Sequence, residues 1–313
     1  MTFDWSQKRV LVTGGHGFLG RVLCRKLVER GCLPIAPTSN EVELTTFSDT
    51  YDEFKEVRPD IVFHLAAVVG GIGANKERPG RFFYDNMQMG LNVIEAARVV
   101  GVEKFVMVGT ACSYPADARL PIHESALWKG YPEPTNAPYG IAKRALSTML
   151  HAYRQQYGFN GIYVILANLY GPEDNFDPET SHVIPALIRR FVEAANCPPS
   201  SVTCWGSGVP TREFLYVDDA ADALIRCAER IEDSYPINIG SGDEISIQAL
   251  AEKISRMAGY DGRITWGDKP DCDGQLRRRL DTSRAREVLN WERQVSLDDG
   301  LSRTIEWWQE QHV

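Results

Sequence analysis

The chain has 313 residues, 43% of them hydrophobic and 24% charged, which is enough apolar material for one large core or two fused cores. This composition excludes a disordered chain, collagen and a coiled coil. Lys and Arg number 34 against 42 Asp and Glu, a net charge of −8, which excludes a sequence-wide basic field that would hold nucleic acid or an anionic membrane. An anionic ligand must therefore meet a local basic cluster.

Neither a membrane segment nor a metal site is predicted. No apolar run approaches the roughly 18 residues of a membrane span, and residues 1–8 lack a charged start followed by an apolar stretch. We therefore expect a cytoplasmic protein. The seven cysteines are scattered and never spaced C-x-x-C, which argues against a disulfide framework or a zinc site. Most of them should be reduced packing residues.

Strands and helices alternate through the first half of the chain. The predicted strands are residues 9–13, 33–36, 61–64, 105–108 and 162–167. The predicted helices are residues 18–29, 86–100 and 139–157. This alternation predicts an α/β fold, a Rossmann-type doubly wound parallel sheet whose ligands bind at the carboxyl ends of its strands.

After Asn168 the pattern loosens, and a second unit is expected to begin. Its predicted elements are a helix at residues 183–195, a strand at 212–217, and helices at 247–258 and 296–309. We expect a dinucleotide-binding domain over residues 1–167, to which part of 213–240 returns. A smaller, mixed α/β C-terminal substrate domain would cover residues 168–313. The two should share a cleft, because no linker is long enough to make them independent.

A glycine turn lies between the first predicted strand and the first predicted helix. Gly14, Gly17 and Gly20 stand at G-x-x-G-x-x-G spacing. Gly14 allows a tight turn, Gly17 lets the backbone approach a pyrophosphate, and Gly20 lets the helix pack closely. The same glycines also suit an ordinary strand-to-helix turn, but their position directly after the first strand favours dinucleotide binding.

The end of the second predicted strand bears on the choice of cofactor. Residues 37–40 read PTSN and contain no Asp or Glu to bind a ribose 2′-hydroxyl, which favours NADP(H). No Arg is present there to bind a 2′-phosphate. That contact would fall to Thr38, Ser39, Asn40 or a distant Arg, and NAD(H) stays open.

Tyr139 and Lys143 stand at i, i+4 near the start of a predicted helix and share one face. An ammonium beside a phenol lowers the phenol pKa, so we expect Tyr139 to act as an acid or base near neutral pH. Thr110 ends the predicted strand that precedes this helix, where its hydroxyl could hydrogen-bond a substrate carbonyl. Tyr and Lys at this spacing are common on solvated helices, and it is their combination with the glycine turn that gives the pair weight.

At these residues the sequence resembles the extended short-chain dehydrogenase/reductase family. Further segments narrow the likeness to its epimerase–reductases that make GDP-L-fucose, and the likeness extends from the first strand to Trp308. These segments are HLAAVVGGIGAN at residues 64–75, EPTN at 133–136, NLYGP at 168–172, SHVIPAL at 181–187, WGSG at 205–208 and REFL at 212–215.

The resemblance implies a two-part reaction in one site, converting GDP-4-keto-6-deoxy-D-mannose to GDP-L-fucose. Cys112 and His182 match the base and acid that epimerise C3 and C5, whose hydrogens the 4-keto group acidifies. NADPH would then deliver hydride to C4 while Tyr139 protonates the alkoxide. Lys143 would tune the phenol and bind the nicotinamide ribose, and Thr110 would position the oxygen.

The resemblance also implies binding residues, and a homodimer formed by helices 86–100 and 139–157. The residues expected at the cofactor are Gly14, His16, Gly17, Phe18, Leu19, Gly20, Ser39, Ala66, Ala67, Gly109, Thr110, Tyr139, Lys143 and His182. The residues expected at the GDP-sugar are Asn168, Val183, Arg190, Trp205, Arg212 and Arg278. Guanidinium groups suit a diphosphate because they pair with phosphate oxygens bidentately.

Two alternatives stay open at this point. One keeps the chemistry, or 4-reduction alone, but acts on a related substrate such as a GDP-4-keto-dideoxyhexose or a GDP-4-keto-heptose. The other is a non-catalytic dinucleotide sensor, against which Tyr139 and Lys143 argue because a sensor has no use for a tuned phenol. Neither nucleic acid nor a membrane is an expected partner.

Overall fold

The computed structural model of the chain describes residues 3–197, 201–267 and 273–312. Its strands are β1 (Val10–Thr13), β2 (Ile61–His64), β3 (Lys104–Thr110), β4 (Gly161–Leu166), β5 (Asn168–Tyr170), β6 (Ser201–Cys204), β7 (Thr211–Arg212), β8 (Phe214–Tyr216), β9 (Ile237–Ile239), β10 (Ile245–Ser246), β11 (Arg263–Trp266) and β12 (Arg277–Arg278). Its α-helices are α1 (Phe18–Glu29), α2 (Phe47–Val57), α3 (Ile72–Glu77), α4 (Pro79–Val100), α5 (Ala137–Tyr157), α6 (Val183–Asn196), α7 (Val217–Arg230), α8 (Ile247–Met257), α9 (Ser283–Leu289) and α10 (Leu297–His312).

The central sheet has five parallel strands in the order β1-β2-β3-β4-β9. β1 and β2 are buried at every position, as strands covered on both faces must be. The Rossmann-type parallel sheet predicted from the alternation of elements is confirmed. Its carboxyl ends carry Thr13, His64, Thr110 and Leu166, so the residues that follow these strands meet along one edge of the sheet.

The predicted strand at residues 33–36 is wrong in extent. Only Ile35 pairs with β1, through one isolated bridge to Leu11. Pro34 and Pro37 flank that residue, and a proline has no N–H to donate to a ladder. The chain therefore runs beside β1 without forming a regular strand.

The observed boundaries of some helices and strands differ from the predicted ones. The helix predicted from residue 86 begins at Pro79, because the fixed φ of proline suits the first turn of a helix. The strand predicted at 212–217 is two short strands, β7 and β8, and α7 already begins at Val217. Helix α1 has the predicted bounds.

The second half of the chain contributes both to the central sheet and to a second core. β9 pairs with β4, and α7 packs against β3 and β4. A separate apolar cluster joins α6, α8 and α10. The division of the chain at residue 168 stays a prediction. No helix within the described ranges is both long and apolar enough to cross a membrane.

Candidate active site

A cleft of about 1350 Å³ opens at the carboxyl ends of the central strands and reaches the second core. Single-ligand pockets usually measure about 300–1000 Å³, so this cleft has room for two ligands side by side. Every residue that the sequence assigns to catalysis, to the cofactor or to the substrate lines it, except Asn40, one of the candidates for the 2′-phosphate. The structure thus gathers into one place residues that are spread from Gly14 to Arg278.

The glycine turn forms a cradle that side chains would fill. Gly14 has φ +74°, and a Cβ there would lie 2.7 Å from the backbone nitrogen of Ala66. A Cβ on Gly20 would lie 2.1 Å from the Gly14 carbonyl oxygen. Helix α1 begins after Gly17 without a side-chain cap, so its first amides are available to an anion in the cleft. This geometry fits a dinucleotide pyrophosphate.

The segment after Ile35 is organised by a carboxylate that the sequence reasoning missed. Glu41 Oε2 accepts hydrogen bonds from the Thr38 N–H at 2.7 Å and the Thr38 hydroxyl at 2.8 Å, which lower the pKa of Glu41. His16 Nε2 hydrogen-bonds the Ala36 carbonyl at 2.8 Å. Thr38 and Ser39 both line the cleft, but the Thr38 hydroxyl donates to Glu41, so Ser39 is the freer of the two.

Lys143 is buried beneath the cleft, with only 2% of its surface exposed. Its Nζ donates to the Val108 carbonyl at 3.2 Å, and burial lowers its pKa to about 8. Burial also raises the pKa of Tyr139 above the usual range, and Cys112 and Tyr163 add to the rise. The predicted lowering of the phenol pKa is therefore wrong, because desolvation of the charged form dominates the shift.

His64 lies next to these groups at the end of β2. Its Nδ1 is 2.7 Å from the Thr13 hydroxyl, and its Nε2 has no hydrogen-bond partner among the described residues. Burial, helped by the charge of Lys143, lowers the pKa of His64 to about 3. The imidazole is therefore neutral at physiological pH.

Thr110, the last residue of β3, caps the single 3₁₀ turn Ala111–Ser113, which carries Cys112. The Cys112 N–H donates to the Thr110 hydroxyl oxygen at 3.1 Å. Helix α5 approaches this turn so closely that a Cβ on Gly140 would lie 2.4 Å from the Cys112 carbonyl oxygen. The Ser113 hydroxyl donates to the Gly140 carbonyl at 3.1 Å. The turn that carries Cys112 and the first turn of α5, which carries Tyr139, are thus held close together.

His182 lies at the N-terminus of α6, and burial lowers its pKa. The loop before it is tied to α1 by an ion pair between Arg21 and Glu173 at 2.8 Å. Asp174, on the same loop, lines the cleft but was not predicted; burial raises its pKa to about 7. A lone Asp in a turn-rich segment carries no sequence signal of burial.

Arginines and a tryptophan line the outer part of the cleft. Arg190 lies over the ring of Trp205 at 5.1 Å and donates to the Thr203 carbonyl at 2.9 Å. Trp205 remains 59% exposed, which leaves one face free for a planar ligand. The pKa of Arg212 is lowered to about 10 by burial and by the nearby charge of Arg278. This is the local basic cluster that the acidic chain requires for an anionic ligand.

Asn168 and Val183 complete the set predicted for the substrate. Asn168 Nδ2 donates to the Glu213 carbonyl at 2.8 Å, and Val183 is the first residue of α6. Glu213 itself was not predicted as important. Its carboxylate accepts the N–H groups of Gly242 and Leu280 at 2.7 Å each, and burial raises its pKa to about 7. Glu213 directly follows Arg212, and these hydrogen bonds tie it to Gly242 and to Leu280, which lies two residues after Arg278.

The described cysteines are all free thiols, as the spacing predicts. They are Cys24, Cys32, Cys112, Cys197, Cys204 and Cys227. Cys272 lies outside the described residues. Cys112 and Cys204 both line the cleft, and Cys112 is distinguished by Arg278 Nη1, which donates to its sulfur at 3.2 Å.

Comparison with known proteins places the chain among sugar-nucleotide enzymes. The model of the NAD dependent epimerase/dehydratase family matches residues 10–240. GDP-L-fucose synthase 1 of Arabidopsis thaliana is 43% identical, with 96% of this chain and 93% of that protein aligned. GDP-L-fucose synthase of Escherichia coli K12 is 41% identical, with 97% and 98% aligned.

One solved structure is similar to this chain over nearly the whole length of both. The GDP-mannoheptose C4 reductase from Campylobacter jejuni with NADP bound superimposes with a TM-score of 0.89 at 30% sequence identity. The superposition covers 97% of this chain and 99% of that one.

Proposed function

The chain belongs to the NAD dependent epimerase/dehydratase family, and from that premise we propose that it converts GDP-4-keto-6-deoxy-D-mannose to GDP-L-fucose by NADPH-dependent 3,5-epimerisation and 4-reduction. One observation carries the proposal. Groups suited to proton transfer, Cys112, Tyr139 and His182, line the same cleft as a dinucleotide cradle and a cluster of arginines. Its similarity to GDP-L-fucose synthases over nearly the whole chain supports the choice of substrate.

The cofactor would lie against the glycine turn and the ends of β1 and β2. Gly14, Gly17 and Gly20 would accommodate its pyrophosphate, and Ser39 would meet the 2′-phosphate. NADPH, when bound, supplies the hydride for C4. The NADP bound to a reductase of the same fold supports NADP(H) over NAD(H).

The reduction requires a proton at the C4 oxygen. Tyr139 is protonated at neutral pH because burial raises its pKa, so it can donate that proton as negative charge develops. The Thr110 hydroxyl oxygen already accepts the Cys112 N–H, which leaves its O–H free to donate to the same oxygen. Lys143, fixed to Val108, supplies positive charge below the phenol and would bind the nicotinamide ribose.

The epimerisation requires a base and an acid on opposite sides of the sugar. Cys112 comes from the turn after β3 and His182 from the start of α6, so the two approach the cleft from different elements. Cys112 removes the proton from C3 and C5, and His182 returns one on the opposite face. The lowered pKa of His182 makes its protonated form a stronger acid.

The nucleotide would occupy the outer part of the cleft. Trp205 offers an exposed ring for the guanine, and Arg190 and Arg212 offer charge for the diphosphate. Asn168 and Val183 would also contact the sugar nucleotide, and Arg278 is expected close to it.

A homodimer through α4 and α5 is part of the proposal. The two helices pack side by side and expose the apolar residues Leu91, Val99 and Tyr157. Burying such a face in a four-helix bundle would remove it from water. Light scattering in solution should give twice the mass of the chain.

A second candidate is reduction of a GDP-4-keto-heptose. It is favoured by the superposition with the GDP-mannoheptose C4 reductase, which spans nearly the whole of both chains.

The test offers the purified protein GDP-4-keto-6-deoxymannose, or in a parallel reaction a GDP-4-keto-heptose, in deuterated water with either NADPH or NADH. The product is identified by NMR. We expect GDP-L-fucose carrying deuterium at C3 and C5, formed faster with NADPH. A product reduced at C4 but not inverted at C3 and C5 would contradict the epimerisation. Turnover of the 4-keto-heptose alone would establish the second candidate instead.

A further inference from the structure

The proposed base is held by a residue from far along the chain. Arg278 Nη1 donates to the Cys112 sulfur at 3.2 Å, and Arg278 is 7% exposed. The sequence places Arg278 with the substrate nucleotide, but in the structure its guanidinium also hydrogen-bonds the thiol. A buried guanidinium at this distance both orients the sulfur and places positive charge beside it.

The orientation of Arg278 depends in turn on Gln275. Gln275 Oε1 accepts a hydrogen bond from Arg278 Nε at 3.0 Å, and Gln275 Nε2 donates to the Ala116 carbonyl at 2.9 Å. Ala116 follows Cys112 on the same loop. Both ends of the amide are engaged, so rotating it by half a turn would set donor against donor and acceptor against acceptor. The three hydrogen bonds run from Cys112 through Arg278 and Gln275 back to the loop that carries Cys112.

The neighbouring arginine has a separate role. Arg277 pairs with Glu244 at 2.6 Å, and its side chain does not line the cleft. The segment around Gln275 is tied to β7 by the Thr211 N–H, which donates to the Leu276 carbonyl at 2.9 Å. The backbone beside Gln275 is therefore anchored to β7, and the Gln275 side chain is available to hold Arg278.

We infer that Gln275 is a positioning residue for the epimerisation: through Arg278 it holds the Cys112 sulfur in place and keeps a positive charge beside it. The inference rests on the proposed function, in which Cys112 takes the proton from C3 and C5. No assignment from sequence or from relatives gives Gln275 this role.

The first experiment compares Gln275→Leu with the unchanged protein. Deuterium incorporation at C3 and C5 of GDP-4-keto-6-deoxymannose is followed without NADPH, together with KM and the Kd for GDP. Losing a hydrogen bond to a charged group should slow incorporation about 10-fold to 100-fold while KM and Kd stay unchanged. Gln275→Glu keeps the acceptor for Arg278 but loses the donor to the Ala116 carbonyl, so its rate should lie between those of Gln275→Leu and the unchanged protein.

Gln248→Leu is the matched control, because Gln248 is exposed on α8, bonds Glu252 and does not line the cleft. It should behave as the unchanged protein. A Gln275→Leu variant that keeps the full incorporation rate would overturn the inference. Weaker GDP binding with normal incorporation would also overturn it, since that result assigns Gln275 to the nucleotide.

A second measurement does not depend on the substrate. Alkylation of Cys112 by iodoacetamide at fixed pH is followed by mass spectrometry of its peptide. A thiol that loses a neighbouring cation reacts more slowly, so Gln275→Leu should be alkylated several-fold more slowly than Gln248→Leu. Equal rates would overturn the inference. If the unchanged protein incorporates no deuterium while the alkylation rates differ, the proposed reaction fails and the positioning role stands.

Discussion

The phenol of Tyr139 and the ammonium of Lys143 are both buried, and burial shifts their pKa values in opposite directions. Each shift favours the uncharged form, which is the form with the smaller desolvation cost. For Tyr139 the uncharged form is the proton donor that reduction needs. The structure therefore supports a protonated Tyr139 that acts as an acid, rather than a deprotonated Tyr139 that acts as a base.

Tyr139→Phe should reduce NADPH oxidation about 100-fold to 10,000-fold, because the change removes the proposed acid and keeps the ring. NADPH binding, measured by fluorescence, should remain. Tyr131→Phe, at an exposed position that does not line the cleft, is the control. Normal turnover in Tyr139→Phe would remove this residue from the mechanism.

His64 makes the stability of the protein depend on pH. The folded protein holds this imidazole neutral with a pKa of about 3, whereas an unfolded chain binds a proton near the ordinary value of 6.5. The unfolded state therefore gains protons first as the pH falls, and stability is lost from about pH 6.5 downward.

His64→Gln should weaken this dependence. Between pH 7 and pH 5 the unchanged protein should lose up to about 2 kcal/mol more unfolding free energy than the variant. Urea unfolding at both pH values measures the difference. An identical loss in the two proteins would show that His64 is not the titrating group.

At the scale of elements, the approach of α5 to the turn after β3 builds the proposed catalytic centre. Gly140 has no side chain, and the space that a Cβ would need is occupied by the backbone of Cys112 and Ser113. The turn carries Thr110 and Cys112, and the helix carries Tyr139. One close contact therefore sets the spacing of the groups proposed for both halves of the reaction.

Gly140→Ala should push the helix from the turn, cost about 1–3 kcal/mol of stability and slow both deuterium incorporation and NADPH oxidation. Gly80→Ala is the control, because no atom lies within 4 Å of a Cβ at that helical position. It should be neutral or slightly stabilising. Unchanged rates in Gly140→Ala would mean that the contact does not set the geometry.

At the scale of the whole molecule, an acidic chain concentrates positive charge in one cleft. The net charge is −8, yet Arg190, Arg212 and Arg278 line the space between the two cores. The Glu213 carboxylate accepts hydrogen bonds from the backbone N–H groups of Gly242 and Leu280 and so connects these two segments. Folding thus supplies the local field that the overall charge does not.

Arg212→Met should raise KM for the GDP-sugar about 10-fold to 100-fold with a smaller change in kcat, since it removes a charged contact to the diphosphate. Arg226→Met, which alters a half-buried arginine of α7 that does not line the cleft, should leave KM as it is. The KM is measured from initial rates of NADPH oxidation. An unaffected KM would place the diphosphate elsewhere.

Local patterns in the chain were sufficient for much of the fold and of the site. Periodicity and end signals predicted α1 and the parallel sheet, and the spacing of Gly14, Gly17 and Gly20 predicted the cradle. They failed at residues 33–36, where prolines interrupt an apolar run, and at 212–217, where a buried Glu213 lies between two short strands. The hydrophobic pattern shows which residues are apolar, but it does not show which backbone N–H and C=O groups are hydrogen-bonded.

The sequence by itself determined the identity and order of the residues proposed to react, because residue type, spacing and motif are properties of the chain. Only the tertiary structure decided the direction of the Tyr139 pKa, the burial of Asp174 and Glu213, and the contact between Cys112 and Arg278, which lie 166 residues apart. The physical reason is that desolvation and long-range proximity arise when the chain is packed. Neither is written in the order of residues along it.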